Sequence, residues 1–169
     1  MKRRVVVTGI GVVSSIGIGK DDFWKNLIAG RSGISDIALF DTSDYPVHKA
    51  GEVKNFDPAR FIPKNRIKDI ARASQFAIAA TKLALDDANL DIKNIKNRTG
   101  IIFGTTMADI QSLEQINKYW SYKGEDDVWS INIIKYPSME LSDQAGYLFQ
   151  TASLNYVIPT ACAAGNYSI

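Results

Sequence analysis

The sequence has little of several residue types that define whole classes of protein. Its 169 residues contain one cysteine and one histidine, and the formal net charge at pH 7 is only +2. A single cysteine excludes an internal disulfide and predicts a reducing, cytoplasmic setting. One histidine and one cysteine make no ligand set, so we expect no metal site. The near-neutral charge gives no reason to expect nucleic acid as a partner.

Long apolar runs and complete phosphate-binding loops are also missing. No stretch approaches the roughly 20 apolar residues that span a bilayer, so we expect no membrane segment. Gly9 and Gly11 lie in a turn, but neither the third glycine of a dinucleotide loop nor the Lys-Ser/Thr pair of a P-loop follows them. We therefore expect a tight strand-to-helix turn. The composition, 46% hydrophobic and 22% charged, is typical of a globular protein.

Short apolar runs alternate with helical patterns along the chain. The runs that predict strands lie at 5–7, 50–53, 100–104 and 154–158. The periodic segments that predict helices lie at 21–29, 66–89, 110–122 and 137–149. This alternation, together with runs that are apolar throughout, predicts an α/β fold with a largely parallel sheet. No internal repeat or low-complexity segment divides the chain.

The single cysteine is Cys162, which follows the last predicted strand. The small residues Ala163, Ala164 and Gly165 let the chain turn sharply into a helix. A helix N-terminus stabilises a thiolate, and its N–H groups can hold an oxyanion when sulfur attacks a carbonyl. The pattern alone leaves two interpretations open, a reactive nucleophile and a small core residue.

The segment 160–166 resembles the active-site turn of the beta-ketoacyl synthases, the condensing enzymes of fatty-acid and polyketide synthesis. The resemblance runs from near residue 3 to residue 169, and its other main segments are 4–14, 30–34, 50–53 and 72–77. It implies the N-terminal half of a thiolase-like fold, with a mixed, largely parallel sheet and helices on both faces. That half is incomplete without a C-terminal half. Residues 1–169 are then one N-terminal domain that ends just after the nucleophile turn.

The resemblance implies an acyltransferase. Cys162 would take an acyl chain from acyl carrier protein, whose phosphopantetheine carries the substrates, so no cofactor of the chain itself is implied. Two histidines and a lysine of the C-terminal half would then support decarboxylative condensation with malonyl carrier protein. We therefore expect residues 1–169 alone to be inactive. His48, the single histidine, matches no catalytic position of the family, which predicts a surface or packing role.

The resemblance also implies binding residues and partners. Met107 falls where the family borders its acyl-chain pocket, although a core methionine would fit the same position. Lys64, Arg66 and Lys68 fall where the family receives the acidic carrier protein, although a solvated helix start carries similar charges. We also expect a complementary C-terminal half or chain, and a homodimer or a heterodimer with another ketosynthase.

Three other assignments stay open. The first is a non-catalytic partner of the chain-length-factor type, although such partners typically lack the cysteine. The second is a thiolase-superfamily enzyme that uses coenzyme A thioesters, and the third is a bare interaction module. One departure from the family concerns specificity. Ala108 and Asp109 stand where the family is often rich in glycine, so the shape of the pocket and the chain-length preference stay open.

Overall fold

The computed structural model describes residues 4–123, 139–151 and 153–169. The chain divides into two units. The first unit is Met1–Asp57 with Ala79–Leu90, and the second unit is Pro58–Ile78 with Asp91–Ile169. No helix in the described ranges is long and apolar enough to cross a bilayer.

The elements are short at the N-terminal end and longer towards the C-terminal end. In chain order they are β1 (Val13–Ser14), β2 (Gly17–Ile18), α1 (Lys20–Ile28), β3 (Ser35–Asp36), β4 (Lys49–Ala50), α2 (Arg72–Asp87), α3 (Ile92–Ile95), β5 (Ile101–Gly104), α4 (Ile110–Lys123), α5 (Glu140–Phe149), β6 (Asn155–Ile158) and α6 (Ala164–Tyr167). Two antiparallel pairs, β1 with β2 and β3 with β4, belong to the first unit. The parallel pair, β5 with β6, belongs to the second.

The strand predicted at 5–7 is wrong. The structure assigns no strand there, and the side chains of Val5, Val6 and Val7 are 91%, 66% and 77% exposed. An extended segment becomes a strand only when a neighbour bonds its N–H and C=O groups, and the described residues include no such neighbour. The glycines that follow pack closely instead. A methyl group on Gly9 or Gly11 would overlap a carbonyl of α2, so close approach explains both.

The long helix predicted at 66–89 begins later than expected. A 3₁₀ turn covers Ile67–Asp69, the backbone becomes extended at Ile70, and α2 begins only at Arg72. The side chain of Gln75 stabilises this break, because its Nε2 donates to the carbonyl of Ile67 at 3.1 Å and to that of Ile70 at 2.8 Å. A helical pattern that crosses the break therefore predicted one helix where the chain has a turn and a helix.

The other predicted helices are confirmed with small shifts at their ends. The helix predicted at 21–29 is α1, whose first turn carries Asp21 and Asp22 at the positive end of the dipole. The helix predicted at 110–122 is α4. The helix predicted at 137–149 corresponds to α5, and residues 137 and 138 lie outside the described ranges. The strand predicted at 50–53 is wrong for three of its four residues, because β4 covers Lys49–Ala50 and residues 51–53 form no strand.

The parallel strands of the second unit, β5 and β6, pair along their whole length. Their register runs from Ile101 opposite Asn155 to Gly104 opposite Ile158, which confirms the strands predicted at 100–104 and 154–158. A cluster of buried side chains packs around them. The cluster consists of Ile62, Ile70, Ile78, Ile101 and Ala145. Because both strands run in the same direction, the loops after them leave the same edge of the sheet.

Candidate active site

Cys162 lies just beyond the carboxyl end of β6. It belongs to a 3₁₀ turn at Ala161–Ala163, and α6 follows directly. The thiol is free and exposed. The predicted position between a strand and a helix is therefore confirmed, and Cys162 is not a core residue of this chain.

The turn that carries Cys162 has an unusual backbone. Ala161 has φ +48°, in the left-handed region that costs a residue other than glycine on the order of 1 kcal/mol. The N–H of Ala163 donates to the carbonyl of Thr160 at 3.1 Å, and the N–H of Ala164 donates to that of Ala161. The sequence predicted that N–H groups of this turn could hold an oxyanion, but these two are already hydrogen-bonded within it.

The last residue of β5, Gly104, packs against the residues that follow Cys162. Ala164 is buried, and a methyl group on Gly104 would overlap its carbonyl. The next residue continues the pairing of the strands, because the N–H of Thr105 donates to the carbonyl of Ile158 at 3.2 Å. The residues that follow Cys162 therefore pack directly against the backbone of Gly104, a position where only glycine leaves enough room.

Met107 lies in the loop after β5, and this loop leaves the same sheet edge as the cysteine turn. Its side chain is 60% exposed, so Met107 does not pack in the core of this chain. The backbone of this loop makes a tight turn. The N–H of Ala108 donates to Thr105 Oγ1 at 3.2 Å, and Ala108 has φ +40°. Met107 is therefore presented to solvent at the end of the sheet where Cys162 lies.

Asp109 closes this loop, and sequence reasoning missed its role. Its side chain is only 4% exposed. Oδ1 accepts hydrogen bonds from the N–H groups of Ala73 at 2.8 Å and Ser74 at 3.2 Å, and Oδ2 accepts from Ser74 Oγ at 2.5 Å. A carboxylate at the first N–H groups of a helix is a stabilising N-cap. The signal in the sequence was an acidic residue where the family is often rich in glycine.

The three predicted basic residues do not behave alike. Lys64 and Lys68 are exposed, whereas Arg66 is partly buried. The Arg66 guanidinium donates to Gln144 Oε1 at 3.1 Å and lies 4.7 Å from the centre of the Tyr147 ring. Arg66 therefore packs on α5, and the two lysines are the exposed members of the set.

The remaining predicted residue, His48, lies in the first unit. Its side chain is exposed, and Nδ1 lies 3.0 Å from Thr42 Oγ1. Of the two predicted roles, surface or packing, the exposure agrees with the surface role. The described part of the chain brings together no group of three side chains that could hold a metal ion.

Comparison with known proteins shows which protein family this chain resembles. The family profile described as "Beta-ketoacyl synthase, N-terminal domain" matches residues 2–169. The 3-oxoacyl-[acyl-carrier-protein] synthase 2 of Synechocystis is 33% identical in an alignment of 169 positions that covers 99% of this chain and 41% of that protein. The chain thus spans about two fifths of the length of this curated relative.

Two solved structures are similar in fold. "The ishigamide ketosynthase/chain length factor" superposes with a TM-score of 0.91 at 34% identity, over 99% of this chain and 42% of that one. A chain of the complex described as a "type II PKS acyl-carrier protein in complex with its ketosynthase bound to the hexaketide" matches with a TM-score of 0.74 at 26% identity, over 97% of this chain and 40% of that one.

These likenesses confirm the predicted α/β, thiolase-like fold and locate it in the N-terminal part of the ketosynthases. The family profile covers residues 2–169. The chain therefore belongs to the family of beta-ketoacyl synthase N-terminal domains.

Proposed function

We propose that this chain is the N-terminal part of a beta-ketoacyl synthase in which Cys162 accepts an acyl chain from acyl carrier protein. The observation that carries the proposal is the free, exposed thiol on the turn between β6 and α6. The thiol belongs to a chain whose curated relative is named a 3-oxoacyl-[acyl-carrier-protein] synthase. A lone reactive cysteine at such a turn suits nucleophilic catalysis.

In the first stage the Cys162 thiolate attacks the carbonyl carbon of the thioester on the carrier protein. A bond forms between Sγ and that carbon, and the bond from the carbon to the phosphopantetheine sulfur breaks. The carrier sulfur departs as a thiolate and takes up one proton, which balances the proton that Cys162 lost when its thiolate formed, so the carrier leaves as a free thiol. The oxyanion that forms on the way needs hydrogen-bond donors. Because Ala163 and Ala164 use their N–H groups within the turn, we assign the Cys162 N–H to this task.

In the second stage a malonyl carrier protein loses carbon dioxide, and its carbanion attacks the acyl group on Cys162. The thiolate leaves, and the product is a beta-ketoacyl chain two carbons longer. Two histidines and a lysine from the remaining part of the full-length protein, or from a complementary chain, would support this step. His48 lies exposed in the first unit and is assigned no part in it. The product belongs to fatty-acid or polyketide biosynthesis.

The proposed partners are acyl carrier protein and a second ketosynthase-like chain, as homodimer or heterodimer. One similar structure is described as a ketosynthase/chain length factor, and the other as an acyl-carrier protein with its ketosynthase, which supports both partners. A cytoplasmic setting remains a prediction. The chain-length-factor alternative is disfavoured by the presence of Cys162, because the resemblance implies that such partners typically lack the nucleophile.

Acylation of Cys162 tests the proposal. The full-length protein that carries these residues is mixed with an acylated carrier protein, and its intact mass is measured. We expect a mass increase equal to the acyl group, located on Cys162 by peptide mapping and absent from Cys162→Ala. A folded wild-type protein that gains no acyl group would refute the proposal and favour the non-catalytic alternative. Acylation from coenzyme A alone would favour the thiolase-type alternative.

Charge reversal tests carrier docking at the two exposed lysines. With Lys64 and Lys68 both replaced by Glu, we expect KM for the acyl carrier protein to rise about tenfold, because a favourable charge contact becomes repulsive. The rate of acylation by a small thioester without the carrier should not change. Replacement of Lys93 and Lys118 together by Glu is the matched control, since both are exposed lysines of the same unit and the change in net charge is the same. An equal rise in KM for the two double variants would refute docking at this site.

A further inference from the structure

The loop after β5 is fixed at both of its ends. At its start the N–H of Thr105 donates to the carbonyl of Ile158, the last residue of β6. At its end the carboxylate of Asp109 holds the first turn of α2 through three hydrogen bonds. The loop therefore joins the edge of the sheet where Cys162 lies to the N-terminus of a long helix.

Met107 lies between these two fixed points. Ala108, directly before the carboxylate, has φ +40° and donates its N–H back to Thr105 Oγ1. Four residues thus separate Gly104, the end of β5, from Asp109. With so short a path, the position of the Met107 side chain depends on both attachments.

The attachment at Asp109 is costly to break. The carboxylate is buried, and so is Ser74, which supplies two of its three donors. A buried carboxylate and the first N–H groups of a helix each require a partner, and here each satisfies the other. If the carboxylate is removed, the loop loses its tie to α2.

We propose that Asp109 is a positioning residue that holds Met107 at the mouth of the acyl site and so sets which acyl chain length Cys162 accepts. The proposal rests on the function proposed above. Asp109 itself contacts neither the thioester nor the thiol. It acts on specificity through the loop that carries Met107, at a position where the family is often rich in glycine.

Acyl-chain discrimination tests the proposal in the full-length protein. The single-turnover rate of Cys162 acylation is measured by mass spectrometry with a short and with a long straight-chain acyl carrier protein. We expect Asp109→Ala to change the ratio of the two rates about tenfold, the scale of discrimination that a methylene-sized change in a pocket produces. Asp109→Asn should keep the wild-type ratio, because its Oδ1 still accepts from both N–H groups while its Nδ2 donates to Ser74 Oγ.

Asp91→Ala is the matched control. Asp91 also caps a helix of the second unit, accepting the N–H of Lys93 at 3.0 Å, but it is exposed and lies outside the loop. It should leave the ratio unchanged. The combination of Asp109→Ala with Met107→Ala separates positioning from general loosening. If Asp109 acts through Met107, the double variant discriminates as Met107→Ala does alone, whereas independent effects that multiply would overturn the proposal.

An unchanged ratio in a folded Asp109→Ala protein overturns the proposal, and so does a wild-type protein that acylates both chains at the same rate. If Asp109→Ala does not fold, Ser74→Ala decides. It removes only the hydroxyl bond to Oδ2, and we expect a smaller change of the ratio in the direction that Met107→Ala produces. No change there would overturn the proposal. Failure of Cys162 to be acylated at all refutes the proposed function instead, so the two failures are distinguishable.

Discussion

The two units bury their side chains very differently. Among the described residues of the first unit, only Ala79 is fully buried, and large apolar side chains such as Val5 and Trp24 are more than half exposed. The second unit buries a cluster of isoleucines around the parallel strands, and it also buries the polar residues Ser74 and Asp109. Burial of polar groups is tolerated there because they are hydrogen-bonded to each other.

The well-packed unit is also the one that holds the proposed functional residues. Every residue proposed for acylation, chain-length choice and carrier docking belongs to the second unit. The cysteine turn and the Met107 loop rest on the buried strands, so small displacements there disturb packed atoms. In the first unit, strand pairs of two residues each and hydrogen bonds at the surface hold the chain. We therefore expect substitutions in the second unit to cost more stability than comparable ones in the first.

The same substitution at one glycine of each unit tests this expectation. Gly104→Ala places a methyl group on the Ala164 carbonyl, a backbone atom that cannot move without shifting the cysteine turn. We expect a loss of about 1–3 kcal/mol in the free energy of unfolding, together with slower acylation of Cys162. Gly19→Ala meets no atom within 4 Å and is strained only by its φ of +88°, so it should cost about 1 kcal/mol and leave acylation unchanged.

Denaturant unfolding and the acylation rate, measured on both variants, check this pair. The comparison between the units fails if Gly19→Ala costs more stability than Gly104→Ala. If Gly104→Ala is destabilised but acylates Cys162 at the wild-type rate, the support of the turn by β5 matters for folding alone.

The sequence alone predicted the helices and strands whose formation depends on residues close together in the chain. The period of α4 and the apolar runs of β5 and β6 are local patterns, and all three elements form where they were expected. The turn at Cys162 was predictable because small residues follow a strand directly. Its exposure could not be read from the pattern, which left a core cysteine equally open.

The errors come from contacts between distant residues. The strand predicted at 5–7 needed a pairing partner, which an apolar run does not specify. The start of α2 depends on Gln75, which bonds backward to the preceding turn, and on Asp109, which lies 35 positions beyond Ser74. A periodic pattern contains no information about such a distant cap. Asp109 was noticed as a departure from the family, but only the structure shows its partners.

The smallest expected effect lies in the first unit, at the ion pair of Lys20 with Asp87. Asp87 accepts hydrogen bonds from the Lys20 ammonium and from the N–H of Ile10 at 2.9 Å. The hydrogen bond from Lys20, followed by that from Ile10, holds the pKa of Asp87 below its ordinary value of 3.8. A lowered pKa in the folded state means that the contribution to stability is present above pH 3.8 and is lost as the pH falls through the folded pKa.

Asp87→Asn should therefore lose a small amount of stability at neutral pH and none below the folded pKa of Asp87, which flattens the acid limb of the stability curve by that same small amount. The amount is small because exposed ion pairs contribute little and salt screens them. The midpoint of urea unfolding, followed from neutral pH into the acid range at low and high salt, measures this. Asp44→Asn removes the same charge at an exposed position of the same unit and serves as control. If both variants flatten the acid limb equally, the effect comes from net charge, and the tie between Lys20 and Asp87 adds nothing to the first unit.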